Sequence, residues 1–103
     1  MLDLSPRDLA IVQDILRKHV PDRAVWAFGS RVRGTARRYS DLDLAIIADT
    51  PLPLDIVGSI REDFADSDLP FRVDILDWGT ASDPFRRVVE QDRIVLQPAP
   101  IRS

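Results

Sequence analysis

Three short apolar runs alternate along this chain with segments of helical period, and that alternation narrows the possible folds more than any other feature. Ala24–Phe28 (AVWAF) stops at Gly29, and Leu42–Ala48 (LDLAIIA) stops at Asp49-Thr50-Pro51. Phe71–Trp78 (FRVDILDW) reads as a third strand. Apolar runs this short, bounded by turn residues and rich in β-branched and aromatic side chains, are strands. Strands that alternate with helices bury both against one sheet, so the fold class is α/β, a small sheet with helices packed on it.

The helices carry their own start signals. Ser5 is a suitable N-cap for a helix over residues 6–19, with Pro6 at its first position and Asp8 near the positive end of its dipole. Leu9, Val12, Ile15 and Leu16 supply its apolar stripe, and Pro21-Asp22 ends it. Gly29-Ser30 opens a short polar stretch compatible with a brief helix capped by Ser30. Leu54 to Ala65 reads as a helix with Leu54, Val57, Ile60, Arg61 and Phe64 near one face, although Gly58 costs up to about 1 kcal/mol relative to Ala. Ser82 caps a further helix to Gln91, with Pro84 in its first turn. Arg93–Gln97 is compatible with a short edge strand. The expected order is αβαβαβα with that last strand, one domain over residues 1–97, and a frayed tail at 98–103.

Composition excludes several classes. A chain of 103 residues is one domain, able to bury roughly 60–65% of its unfolded surface. Its 45% hydrophobic and 30% charged content argues against disorder. No apolar run approaches the ~20 residues of a membrane span, and Met1–Pro6 offers no basic region followed by an apolar core, so neither a signal peptide nor a location outside the cytoplasm is expected. There is no cysteine, and the single His19 cannot build a zinc site alone; it reads as an exposed or helix-capping residue. A net charge of −3 argues against stable nucleic-acid binding. The positive charge is nevertheless concentrated: Arg31, Arg33, Arg37 and Arg38 lie just before an acidic pair.

That pair is Asp41 and Asp43. Two residues apart on a strand, they point to one face, while Leu42 and Leu44 point to the other. Adjacent carboxylates repel, and burial raises the cost; protonation, an Arg partner or a divalent cation relieves it. For an isolated Asp-x-Asp the plainer reading is a polar strand entrance. Asp74 shifts the balance, because it sits mid-strand where β-propensity disfavours it. Beside Asp43 it would complete three hard oxygen donors, a set that selects Mg²⁺ or Mn²⁺; the plainer alternative is an ion pair with an Arg. Gly29 lets the backbone approach a ligand closely, Ser30 can donate a hydroxyl, and Arg31 and Arg33 can neutralise phosphate. The combined spacing is Gly-Ser, ten residues, Asp-x-Asp. By chance it would occur in so short a chain on the order of once in a thousand.

Residues 29–46, GSRVRGTARRYSDLDLAI, resemble the signature of the DNA polymerase β-like nucleotidyltransferase superfamily, and in particular its minimal branch, the MNT domains. FRVDILDW resembles the strand bearing that family's third carboxylate, and the likeness covers nearly the whole chain. The resemblance implies a palm-like fold with a mixed sheet. It implies that Asp41, Asp43 and Asp74 are catalytic and hold two Mg²⁺ ions (Mn²⁺ in their place), with Asp74 on the side of the attacking hydroxyl. Gly29 and Ser30 would bind the phosphates of ATP, with Arg31 and Arg33 as weaker transfers. The family reaction is in-line attack of a hydroxyl on the α-phosphorus. Larger relatives carry a second, helical domain, and minimal members work beside a HEPN-type helical protein. In such pairs the MNT protein resembles an antitoxin that transfers AMP to a tyrosine of the toxin, so a HEPN partner or self-association is expected here. The rival from another class is an interaction module that neutralises its partner by binding alone. A small-molecule nucleotidyltransferase ranks lower, because so short a chain has little left to shape a pocket. A DNA polymerase ranks lower still.

Overall fold

The first helix forms as its capping residues require. In the computed structural model, which describes residues 2–99, α1 spans Pro6–His19. The Ser5 hydroxyl accepts a hydrogen bond from the Asp8 N–H at 3.1 Å, pairing one of the donors that a first turn leaves free. The chain then runs through β1 (Val25–Phe28), α2 (Ser30–Arg33), β2 (Leu42–Ile46), α3 (Leu54–Ala65), β3 (Val73–Asp77), a 3₁₀ turn (Trp78–Thr80), α4 (Asp83–Asp92) and β4 (Ile94–Gln97). The sheet order is β3-β2-β1-β4. β1 is antiparallel to both β2 and β4, whereas β2 and β3 are parallel. A parallel pair needs a crossover, and α3 supplies it.

Alternation along the strands sorts the side chains into two layers. Val25 and Ala27, with Leu42, Leu44 and Ile46, face α1 and α3 and pack with Val12, Leu16, Ile60 and Phe64. On the other face Ala45 packs with Trp78 and Val89, flanked by Trp26, Phe28 and Leu76. Trp26 and Trp78 meet edge to face at 5.1 Å. The second cluster is much the smaller, and α4 leaves open the end of this face that carries Asp43 and Asp74.

Several boundaries differ from expectation. β2 ends at Ile46 rather than Ala48, because its partner β1 begins at Val25, opposite Ile46. β3 covers Val73–Asp77 rather than Phe71–Trp78. The Asp77 carboxylate turns the chain there, accepting hydrogen bonds from Gly79 N–H at 3.0 Å and Leu52 N–H at 2.9 Å. Gly29, not Ser30, is the N-cap of α2, since its carbonyl accepts from the N–H groups of Val32 and Arg33. Ser82 caps α4 as expected, and α3 runs through Gly58 unbroken. Leu54 does not join the apolar face of α3: it is 88% exposed, and Leu52, just before the helix, takes the buried place. His19 is neither exposed nor a simple cap, for its Nε2 lies 2.5 Å from Asp63 Oδ2 on α3, with the imidazole only 13% exposed. Pro98 and Ala99 have no regular structure, and the rest of the expected tail, residues 100–103, lies outside the described residues.

Candidate active site

The register of the parallel pair sets the geometry. Asp43 on β2 stands directly beside Asp74 on β3, and Phe28, the last residue of β1, stands opposite Asp43 on the other side. Asp41 lies two residues before Asp43, just ahead of the strand. Partial burial, then the charges of Asp74 and Asp41, push the Asp43 carboxyl above its ordinary value, and Arg33 pulls it back by less. Three like-charged hard oxygen donors fit a divalent cation, which would relieve their mutual repulsion. They do not form a ready-made cage, however. Among the described residues no three carboxylate, imidazole or thiol groups stand close enough to hold a metal ion as they are. The ion pair foreseen as the plain alternative for Asp74 does exist, with Arg72 at 3.5 Å, but both side chains are more than half exposed. Such a pair contributes about 0–1 kcal/mol and yields readily to a stronger cation.

Gly29 faces the acidic strand. Its φ of +82° and ψ of −154° lie in a region essentially reserved for glycine. A Cβ there would overlap the Asp43 carboxylate, so the missing side chain is what lets the β1–α2 turn approach the carboxylate. Ser30 follows as the first residue of α2, where the helix makes no side-chain cap hydrogen bond.

The two arginines of this helix part company. Arg33 is exposed and lines the same groove as Gly29, Asp43 and Asp74. Arg31 is 5% exposed and points away. Its guanidinium donates to the carbonyls of Ser40 at 3.0 Å, Asp3 at 2.9 Å and Arg38 at 3.1 Å, and lies 4.0 Å from the centre of the Phe71 ring. The expectation of Arg31 as a phosphate contact is therefore corrected, because its donors are spent on fastening the loop that leads into Asp41. Arg37 and Arg38 are exposed on that loop.

The groove has a volume of about 410 Å³, and beyond the acidic residues it is walled by Phe28, Leu76, Phe85 and Val88. Phe85 and Val88, on α4, carry no sequence motif that marks them for this groove. The available signal was two apolar residues three apart on a helix turn that keeps only Val89 buried, which does not reveal what they face.

A mixed four-stranded sheet with carboxylates on adjacent strands, opposite a glycine-serine turn, defines the class: the chain belongs to the polymerase β nucleotidyltransferase family, which matches residues 11–99. Among individual relatives it is similar to the probable protein adenylyltransferase MntA of Haemophilus influenzae, with 52% identity over 96 residues, covering 93% of this chain and 84% of that protein. It is also similar to a chain in the crystal structure of a toxin-antitoxin with AMP-PNP, with a TM-score of 0.75 and 27% identity over 89% of this chain and 74% of the other. The fold recurs in the complex of a tri-AMPylated Shewanella oneidensis HEPN toxin with its MNT antitoxin, with a TM-score of 0.69 and 22% identity over 90% of this chain and 71% of the other.

Proposed function

We propose that this protein is the antitoxin of a HEPN/MNT pair and transfers AMP from ATP to a tyrosine hydroxyl of its HEPN-type partner. The observation that carries this reading is the pairing of Asp43 with Asp74 across β2 and β3, with Gly29 set against Asp43. The similarity to a probable protein adenylyltransferase and to a chain of a toxin-antitoxin crystallised with AMP-PNP supports it. Among the described residues no helix is long and apolar enough to cross a membrane.

In this mechanism Asp41, Asp43 and Asp74 would hold two Mg²⁺ ions. When bound, these supply charge stabilisation to the attacking and leaving oxygens of an in-line displacement. The protein's own residues do the positioning. Gly29 and Ser30 receive the β- and γ-phosphates, and Arg33 offsets their charge. Asp74 takes up the proton of the acceptor hydroxyl as its oxygen bonds to the α-phosphorus. The bond from the α-phosphorus to the bridging oxygen breaks, and pyrophosphate leaves on the Gly29–Ser30 side. No covalent enzyme intermediate is required, since positioning and charge stabilisation account for most of the work in phosphoryl-group chemistry.

The test is incubation with ATP, Mg²⁺ and the HEPN-type partner, followed by mass measurement of the partner for added AMP. Asp41→Asn and Asp43→Asn should lower transfer by at least ~10²–10³-fold while partner binding is kept. Neutralisation of the partner that survives undiminished in both variants would transfer the role to binding alone.

A further inference from the structure

We propose that Phe85 and Val88 form the wall that seats the acceptor side chain, and that they select a flat aromatic hydroxyl over serine or threonine. This inference rests on the nucleotidyl-transfer reading above. Phe85 and Val88 are 42% and 51% exposed, large apolar side chains left in solvent one helical turn apart on α4. Leaving such surface wet forgoes the gain of burying it, so an apolar pair beside a catalytic cleft calls for an occupant. The Phe85 ring is held edge-on against Phe28 at 6.0 Å, with an interplanar angle of 85°, and so is braced rather than free to fold away.

The composition of the groove favours the acceptor over the nucleobase. Asp43 and Asp74 line it together with Phe85, Val88, Ile75 and Leu76, and Gly29 and Arg33 line it as well, whereas Asp41 and Ser30 do not. In an in-line displacement the attacking and leaving oxygens stand on opposite sides of the phosphorus. With pyrophosphate at the Gly29–Ser30 turn, the hydroxyl enters from the Asp74 side, and Asp74 shares one groove with this wall. Phe85 and Val88 present no polar atom to read the edge of a base, but an aromatic ring packs on another with a preference beyond its area burial. A tyrosine ring laid on Phe85 and Val88 places its hydroxyl toward Asp74, while serine or threonine is too short to cover the wall and reach the carboxylate together.

The experiment titrates the whole protein, in Mg²⁺ and AMP-PNP, with three probes: N-acetyl-tyrosinamide, N-acetyl-serinamide and, in a sample lacking AMP-PNP, adenosine. Binding is read from the NMR resonances of the Val88 methyls and the Phe85 ring. N-acetyl-tyrosinamide should move both sets and N-acetyl-serinamide neither. Phe85→Ala and Val88→Ser should weaken tyrosinamide binding roughly tenfold and leave ATP affinity within about twofold. Phe85→Leu, which keeps the apolar volume, should fall between wild type and Phe85→Ala and guards against a folding defect. Shifts caused by adenosine instead, equal shifts from the serine probe, or no shift from the tyrosine probe would overturn the assignment. Failure of the wild-type protein to add AMP to its partner is a separate result: it strikes the enzymatic reading, whereas the shifts judge the wall.

Discussion

At the scale of single residues, the site depends as much on what is missing at Gly29 as on the carboxylates. Its backbone conformation is strained for any other residue, and a β-carbon would meet Asp43. Gly29→Ala should therefore cost about 1–3 kcal/mol of stability, measured by urea denaturation, and should reduce transfer further by displacing Asp43. Arg31 shows how an arginine in a functional motif can be wholly structural. Lys has no planar fork to reach the carbonyls of Asp3, Arg38 and Ser40 together. Arg31→Lys should leave buried acceptors unpaired, lose about 1–3 kcal/mol, and speed amide hydrogen exchange over residues 37–41. Unchanged exchange there would show that the guanidinium does not hold the loop. The arginine cluster was legible in the sequence, but the division between Arg31 inside and Arg33 outside was not, because four helical residues present different sides to the core.

At the scale of elements, α1 and α3 are joined at one end by a small charged knot. Asp63 on α3 meets His19 and Lys18 at the end of α1, at 2.5 Å and 3.1 Å. Hydrogen bonds from His19 and then Lys18 hold the Asp63 carboxyl below its ordinary value. A depressed carboxylate stabilises the fold above its unfolded pKa, and that contribution is lost as pH falls through the folded value. Asp63→Asn should thus melt lower than wild type at neutral pH, with the gap closing as the solution is acidified below the normal carboxylate range. A gap that persists in acid would mean the loss came from packing rather than charge. Local sequence announced both helices, through Ser5, Pro6 and the apolar stripe of α1, and through Ile60 and Phe64 of α3. It did not announce that His19 would find Asp63, a partner 44 positions away. Nor did it place the ends of β2 and β3, which the neighbouring strand and the Asp77 turn set.

At the scale of the whole molecule, folding and catalysis rest on different groups. The two apolar clusters lie on either side of the sheet, and the buried Arg31 has its carbonyl partners. Among the described residues no buried side-chain nitrogen or oxygen lacks a hydrogen-bond partner, so no group in the interior depends on a cation for its satisfaction. Chelation with EDTA should therefore abolish AMP transfer while moving the thermal midpoint by no more than a few degrees, since a larger fall would correspond to about 1 kcal/mol or more. Circular dichroism and partner mass spectrometry on the same sample would check both halves. A cooperative collapse on chelation would instead make the ions part of the fold.

Residue order alone determined the sequence of strands and helices, the capping residues of α1 and α4, and the motif joining Gly29-Ser30 to Asp41 and Asp43. These are local matters, settled by periodicity, by backbone preference and by the two-residue repeat of a strand. Tertiary structure decided the parallel register that sets Asp74 beside Asp43, the burial of Arg31, the His19–Asp63 link and the wall that α4 lends to the groove. Each of these is a contact between segments far apart in the chain. A short-range pattern shows which side of an element is apolar, but only packing against the rest of the molecule decides what that side meets.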